Sequence, residues 1–570
     1  MKRILMVLMV SALACLSSKD IFAALPPVPP GQDLDAQAER FRQEYSVEKR
    51  AREGEISKAL IEAEEAQKTA TPPGPAFVLQ DIQITGTAMF NTQNLSFIWK
   101  PYLGKKVNFK VLNDIVNLIK RVYKDLGYLT TTAYLPPQDI KKGVVEIRVI
   151  EGKRGKLIVE GNKWFSTPSI EKYFHTYKGE VLDMGELEKD VMRLNGSKDL
   201  SVSSVLSPGT DPETVDVTLK AQETFPYHVS VGTDNQGTRL TGTYRRLVSM
   251  NTSNLTGNED SLSFNGAYTD LSQGDYLSYQ TPVGTHGTKI GLDTGYFQGK
   301  LGDEYKSLDI VNYTEFYDPN VSFELYRSEN AQLNLRSGIE VEHTNKKQGT
   351  DIVTNEDLRI PYLALDAIKT DPWGQTSFSP ELRSGAPGFL GGSRSDNNLA
   401  SRSGVDGNFT KYDQYLSRTQ SMPWSSYMQI RSQFQAPSHT LPTSEQLQLG
   451  GESSVRGYPQ GDYLADIGGD MDTDWFFPMY FIPSSWQSYG TSLRSDIEPF
   501  IFYDMGGGKL VKVNAGEHQG QFLQGTGAGV RFHIRNNMYL KLEWALAVGG
   551  DKPIHGAGPS TFDVSFQVGT

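Results

Sequence analysis

Cysteine is all but missing: of 570 residues one is cysteine, Cys15. Long apolar runs are missing too. Past the N-terminus nothing approaches the ~18 consecutive apolar residues of a spanning helix, which excludes helical membrane spans. No His/Cys cluster offers a metal site. The phosphate-cradling pattern Gly-x-x-x-x-Gly-Lys-Ser/Thr does not occur, and no Ser, His and Asp stand in a supporting context. The expectation is no enzyme, no cofactor and no metal. Positive charge is in deficit, with a net charge of −11, which argues against a nucleic-acid partner. A hydrophobic content of 38% with a mean hydropathy of −0.42 suits a soluble protein. It suits a transmembrane β-barrel equally, whose strands alternate apolar and polar residues. The 55 glycines, 27 tyrosines and 26 phenylalanines favour the barrel, which needs tight turns and aromatic girdles.

Residues 1–23 read as a secretory signal. Lys2 and Arg3 form its basic start, Ile4 to Leu16 its apolar core, and Ala23 a small residue at the cleavage point. Leu13-Ala14-Cys15 falls one position short of a lipoprotein site. Cleavage after Ala23 leaves no cysteine, so the mature chain needs no disulfide in an oxidising compartment. Three cations and one acid leave with the signal, taking the net charge from −11 to −13. Residues 24–75 then hold a stiff Pro26–Pro30 start, a predicted helix over 33–68 and a Thr71–Pro75 linker. That helix has only a thin apolar stripe of Leu34, Phe41 and Tyr45. A helix so polar is either solvated or rests in a water-filled lumen.

Residues 76–152 read strand-helix-helix-strand-strand. Phe77 to Thr85 alternates, Leu95, Ile98, Trp99 and Tyr102 fit one helix, and Val111 to Leu126 fit a second, stopped by Gly127. Thr131–Leu135 and Val144–Ile150 are strands. Residues 153–224 repeat the order, with Leu157–Val159, a helix opened by Ser166-Thr167-Pro168, a helix over Met184–Leu194, and strands Ser201–Leu206 and Val215–Leu219. Two copies of one unit form a weak internal repeat. Their plain reading is two small α+β domains. The functional one is that each sheet offers an edge, beside Val111–Leu126 or Thr167–Lys178, able to take an extended peptide as an added strand.

From Tyr227 onward the helical signal disappears. Met428, Ile430, Phe434 and Ala436 alternate with Gln429, Arg431, Gln433 and Gln435; Leu540, Leu542, Trp544 and Leu546 alternate with Lys541, Glu543 and Ala545. Ala528, Val530, Phe532 and Ile534 alternate with Gly529, Arg531, His533 and Arg535. A half-buried soluble sheet alternates as well, but here charges recur on one face and Trp, Phe and Leu on the other. About sixteen strands of roughly 9–11 residues fit into 225–570 with ample loop.

Val455-Arg456-Gly457-Tyr458 stands in a Gly-rich stretch, and Phe502-Tyr503-Asp504-Met505-Gly506 on an apolar run. Placed so, Arg456 and Asp504 are able to meet inside a barrel, where low dielectric strengthens a charge-assisted bond. Together with Asp234-Asn235-Gln236-Gly237, Asn254-Leu255-Thr256-Gly257-Asn258, Tyr279-Gln280-Thr281-Pro282 and Gln446 to Gly451, these segments make the chain resemble a two-partner secretion transporter. That is the outer-membrane TpsB type of the hemolysin secretion/activation family, in the BamA-like barrel superfamily.

The resemblance implies a mainly β fold: a 16-stranded transmembrane barrel preceded by two periplasmic POTRA domains (76–152 and 153–224) and a plug helix. It implies a sixth extracellular loop folded into the lumen with Val455, Arg456, Gly457 and Tyr458 at its tip. There Arg456 would meet Asp504 on the wall, with Phe502 and Gly506 beside it. It implies transport of an unfolded exoprotein with an N-terminal secretion domain, in a bacterial outer membrane, with outer-membrane lipid and the barrel-assembly machinery as further partners. Two features depart from the family pattern. The chain ends in Thr570 rather than an aromatic residue, and Asp462, Asp466, Asp470, Asp472 and Asp474 follow the loop tip. The aspartates lack EF-hand spacing and read as a solvated acidic loop. Three other functions remain to be weighed. An assembly insertase usually carries more repeats and no plug helix, a diffusion porin leaves the repeats unexplained, and an esterase barrel needs a nucleophile.

Overall fold

The computed structural model describes residues 32–53, 60–62 and 76–570, apart from 141, 395–396, 406, 484, 489–490, 515–516, 535–536, 555–557 and 559. The signal segment and the Pro-rich stretches therefore lie outside the described residues. Two compact units result, one of residues 57–225 and one of 226–570 together with 1–56.

The first unit contains both repeats. Strand β1 (Leu60–Glu62) begins it, followed by β2 (Phe77–Val78), β3 (Asp81–Thr85), β4 (Lys106–Val107), β5 (Thr132–Tyr134) and β6 (Val144–Ile150). β3 and β5 flank β6 in a three-stranded sheet. Its alternate residues Ile82, Val145, Ile147 and Val149 bury against Leu112, Ile115, Val116 and Ile119 of an amphipathic helix, Phe109–Asp125. Asn108 caps that helix by accepting the Val111 N–H, and Gly127 follows it at φ +94. The expected earlier helix is instead a single turn, Thr92–Leu95, and two 3-10 turns, Ser96–Ile98 and Lys100–Tyr102. Pro101, which has no N–H to continue a ladder, lies in the second of these.

The second repeat has β7 (Lys153–Glu160), β8 (Leu200–Pro208) and β9 (Thr214–Glu223) under the helix Met184–Leu194. Its other helix is only Thr167–Glu171, shorter than expected. The sheet order is β1-β8-β9-β7, with β1 parallel to β8. Helix α1 (Leu34–Glu53) therefore stops well before the expected Lys68, since Leu60–Glu62 is a strand. Gly54, the poorest helix former short of proline, directly follows Glu53.

The repeats share a brace. Gly86 (φ +83) ends β3 and Gly161 (φ +87) ends β7. A Cβ on either would strike a neighbouring strand's carbonyl, that of Val149 at 2.2 Å or Ala221 at 2.3 Å. After each glycine the turning backbone donates to one carboxylate at the sheet's far end. Glu151 accepts from the amides of Ala88 (2.7 Å) and Met89 (3.1 Å) and from the Tyr123 hydroxyl (2.7 Å). Glu223 accepts from those of Lys163 (2.9 Å), Trp164 (2.5 Å) and Phe165 (3.1 Å). Burial pushes the Glu151 carboxyl up, but these donors outweigh it and hold the group below its ordinary range.

The second unit is a closed barrel of sixteen strands. They are β10 (Tyr227–Asp234), β11 (Arg245–Thr252), β12 (Ser261–Tyr268), β13 (Ser272–Val283), β14 (Thr288–Lys300), β15 (Ile310–Ser328), β16 (Ala331–Gln348), β17 (Asp351–Asp371), β18 (Gly374–Ser384), β19 (Thr410–Ser421) and β20 (Tyr427–Pro437). Inside the next loop lie β21 (Leu447–Leu449) and β22 (Tyr463–Ala465). Then come β23 (Ile467–Phe476), the short pair β24 (Gln487–Ser488) and β25 (Thr491–Ser492), β26 (Ile497–Lys509), β27 (Gly520–Ile534), β28 (Met538–Gly550) and β29 (Ser560–Gly569). β10 closes on β29, Ser230 opposite Gly569. The terminal Thr570 extends that seam: its hydroxyl accepts the Val229 N–H at 3.1 Å, and its own N–H reaches the Val229 carbonyl at 3.0 Å.

Candidate translocation lumen

Alternation along the strands lines the barrel with charge. On β23, Asp470, Asp472 and Asp474 are buried inside, while Met471, Thr473 and Trp475 face out. The aspartates after the loop tip are thus not a solvated acidic loop. Asp472 accepts from Arg431 at 2.7 Å, and Asp466 from Arg402 at 2.6 Å. The Asp-x-Asp-x-Asp spacing is itself a wall signal, since residues two apart on a strand share a face.

The loop 438–466 turns inward, its stem closed by β21 pairing with β22. Leu447, Leu449, Val455, Tyr458, Tyr463, Ala465 and the wall residue Leu523 bury together. At the tip Arg456 is 2% exposed. Its Nε and Nη2 donate to the two oxygens of Asp504, both at 2.7 Å, and its own amide N–H reaches the same carboxylate at 3.0 Å. Nη1 donates to Glu543 at 3.1 Å, and Nη2 lies 2.7 Å from Asp474. The guanidinium carbon stands 3.7 Å over the Phe502 ring. One cation is thus matched to three wall carboxylates, in the forked geometry only Arg supplies.

Three glycines set how closely tip and wall approach. Gly457 is at φ +90, and a Cβ there would lie 2.6 Å from the Ala547 nitrogen of β28. A Cβ on Gly525 of β27 would lie 1.9 Å from the Arg456 carbonyl, and one on Gly506 would crowd Val455 at 3.0 Å. The Tyr458 hydroxyl lies 2.8 Å from the Gly549 carbonyl. The geometry thus brings Val455, Arg456, Gly457, Tyr458, Phe502, Asp504 and Gly506 together. Sequence reasoning missed Asp474, Glu543 and Gly525. The alternation of Glu543 with Leu542 and Trp544 put it on the inner face but did not say what it meets. A cavity of about 410 Å³ lies beside the tip, lined in part by Asn235, Glu452, Tyr458 and Asp563. Glu452, Glu543 and Asp563 bring carboxylate oxygens within 4.8 Å of one another, and Lys541 pairs with the first two.

Helix α1 lies in the same lumen. Leu34 buries against Leu240, Leu301, Tyr305 and Ile310, and Phe41 and Tyr45 against Tyr276, Phe297 and Phe316. Gly274 and Gly299 of the wall make room for Phe41 and Leu34, whose atoms a Cβ would meet at 2.8 and 2.7 Å. The polar face pairs with charge. Arg42 contacts Glu39 of its own helix, Glu340 of β16 and, at 3.7 Å, Glu445 of the loop; Lys346 lies 3.0 Å from Asp33. Gln448 of the loop donates to the Ala36 carbonyl. The plug helix and the tip loop thus touch each other as well as the wall.

Residues 213–532 match the family of haemolysin secretion/activation proteins ShlB/FhaC/HecB, and residues 77–152 match the ShlB-type POTRA domain. The chain belongs to this family. It is similar to the heme/hemopexin transporter protein HuxB of Haemophilus influenzae, 26% identical over 474 residues, covering 80% of this chain and 81% of that protein. It is similar to the outer membrane transporter CdiB of Escherichia coli, 23% identical over 487 residues, covering 83% and 81%. Solved structures of CdiB from Escherichia coli (TM-score 0.73, 19% identity, 97% of this chain and 100% of that one) and from Acinetobacter baumannii (0.69, 16%, 94% and 99%) share its fold. The chain is an outer-membrane transporter of two-partner secretion, with its POTRA region in the periplasm, and the family is one of transporters rather than enzymes.

Proposed function

We propose that the POTRA region captures an unfolded exoprotein by strand addition and hands it to a lumen that opens when α1 leaves and the loop 438–466 shifts. Val455, Arg456, Gly457 and Tyr458 act as the tip of a lock, and Phe502, Asp504 and Gly506 as its seat. The observation that carries this reading is that both inserts fill the lumen through ion pairs, hydrogen bonds and small apolar clusters, and neither is part of the closed ring of paired strands. Capture by strand addition is supported by β1: the outer edge of β8 already holds an extended segment of the chain itself, paired in parallel through Leu60, Ile61 and Glu62. Cargo docking at that edge has to displace this segment. Folding of the cargo outside the cell biases its movement outward. The exoprotein carries an N-terminal secretion domain, and the barrel-assembly machinery inserts the transporter.

Arg456→Ala tests the lock. The barrel should remain in the outer membrane with its heat-modifiable mobility, while export of the exoprotein stops. Normal export by this variant ends the claim. Deleting residues 76–222 should block export and leave a conducting pore; continued export would rule out the docking role.

A further inference from the structure

Both arms of the loop 438–466 are tied together where they leave the wall. The chain quits the POTRA region at 225 and enters β10 at Tyr227. By strand order the turns after β18, β20 and β26 therefore share the other, extracellular end of the barrel. An arginine in such a turn is ordinarily solvated. Arg402, between β18 and β19, is 0% exposed, and so is the Asp466 side chain that it meets. Its Nη1 donates to Asp466 at 2.6 Å and to the Leu441 carbonyl at 2.8 Å, and Nη2 reaches the Lys512 carbonyl at 3.5 Å. One guanidinium thus spans three turns.

Asp466 gathers the same three turns from the other side. Its carboxylate also accepts the Leu441 amide at 3.3 Å, the Gln446 side-chain amide at 3.1 Å and the Val511 amide at 2.9 Å. Its own amide donates to the Lys509 carbonyl at 3.0 Å, one step beyond the pairing of Ile467 with Lys509. Asp466 is therefore fixed to the wall at the point where the loop returns, whereas Leu441 and Gln446 belong to the arm by which it enters. A second tie holds that arm: the Thr443 amide donates to the Ser401 hydroxyl at 3.1 Å. Leu441 also packs with Leu358, Ile360 and Phe409. Further along the entry arm Glu445 lies 3.7 Å from Arg42 of α1.

We propose that Arg402 is a positioning residue of the transporter. It forms an outer clasp that ties the entry arm of the loop 438–466 to its wall-bound return at the extracellular mouth, and this clasp opens for the exoprotein to leave. The proposal rests on the loop shift put forward above and adds a second point of restraint, ten residues beyond the Arg456 tip. Two features favour a clasp over a plain structural bond. A buried ion pair adds little net stability over well-packed apolar residues of the same size, so apolar packing would fix these turns as well. The groups that the pair holds are polar, and water takes them over when the arm lifts. Only the small cluster around Leu441 then has to be uncovered.

Residues 24–570 contain no cysteine, so a bridge can be placed at will. Ser401→Cys with Thr443→Cys in the full-length transporter puts two thiols where a hydroxyl and an amide already meet. With the bridge formed, as scored by gel mobility, export of the exoprotein should stop, and dithiothreitol should restore it. Undiminished export through the bridged transporter overturns the proposal and leaves the tip reading standing. A block by the bridge while Arg456→Ala exports normally supports the clasp and ends the tip reading alone. Potassium current through the reconstituted protein in planar bilayers tests Arg402 itself. Arg402→Ala should raise the fraction of time the pore is open. Arg402→Lys, which keeps a cation for Asp466, should recover most of the closed state, as loss of packing alone would not allow. Unchanged current in Arg402→Ala with heat-modifiable mobility retained, or no recovery in Arg402→Lys, overturns the positioning role.

Discussion

Helix α1 and the loop 438–466 share one lumen, yet the arginine at the centre of each is seated differently. Arg42 works in a shared pool: Glu340 also accepts from Arg383 at 2.9 Å, and Glu445 pairs with Arg383 at 3.1 Å and Lys411 at 2.6 Å. Each carboxylate that Arg42 touches on wall or loop lies near another cation or another donor. Arg456 shares Glu543 with Lys541 and Asp474 with Arg431 and Arg531, but not its main partner. Asp504 takes both its forked bonds and its amide, and no other cation pairs with Asp504 among the described residues. The helix is held by shared ion pairs and by apolar contacts at intervals; the tip adds to its own apolar cluster one forked pair that no other cation shares, seated by three close-approach glycines. Under the proposed function, a part that leaves should tolerate loss of any one contact, whereas a latch should concentrate its energy in one.

The comparison breaks down or sharpens under substitution. The largest loss is expected from exchanging the pair, Arg456→Asp with Asp504→Arg. The new carboxylate at 456 would face Asp474 and Glu543, so export should not recover; partial recovery would show that Asp504 alone defines the seat. Arg456→Ala leaves the Asp504 carboxylate buried without its cation, a loss of about 3–5 kcal/mol. It should appear as faster hydrogen exchange across 447–465. Gly525→Ala forces a methyl into the Arg456 carbonyl and should loosen the same segment by about 1–3 kcal/mol, with α1 unaffected. Arg42→Ala should cost only ~1 kcal/mol, read as a small rise in labelling of a single cysteine at Ala38; an effect exceeding that of Arg456→Ala would refute the contrast. Glu44→Gln, which removes a half-exposed partner of Arg245, should change α1 release by less than ~1 kcal/mol and only at low salt.

Much of this was legible beforehand. Period-two alternation gave the barrel, since a lipid-facing side and a wet side cannot exchange without slipping the register. The helix expected over Val111–Leu126 from apolar spacing and a stop at Gly127 is Phe109–Asp125, and the one expected over Met184–Leu194 has those bounds. Where local pattern failed, a local rule was outweighed. Leu95, Ile98, Trp99 and Tyr102 keep helical spacing but bury from tight turns, and α1 ends near Gly54 although its composition stays helical beyond. The braces at Glu151 and Glu223 went unread, although Gly86-Thr87-Ala88-Met89-Phe90 and Gly161-Asn162-Lys163-Trp164-Phe165 align in the two repeats.

By itself the sequence determined which residues face lipid and which face water, because the pleat sorts neighbours to opposite sides. It also placed Arg456 in a Gly-rich stretch, while the sharp turn at Gly457 came from the family resemblance and its left-handed backbone from the structure. Only the closed barrel decided that Asp504, Asp474 and Glu543, from three different strands, converge on that one guanidinium. Strand order and stagger bring distant residues face to face, and no local periodicity encodes the meeting of side chains across a lumen.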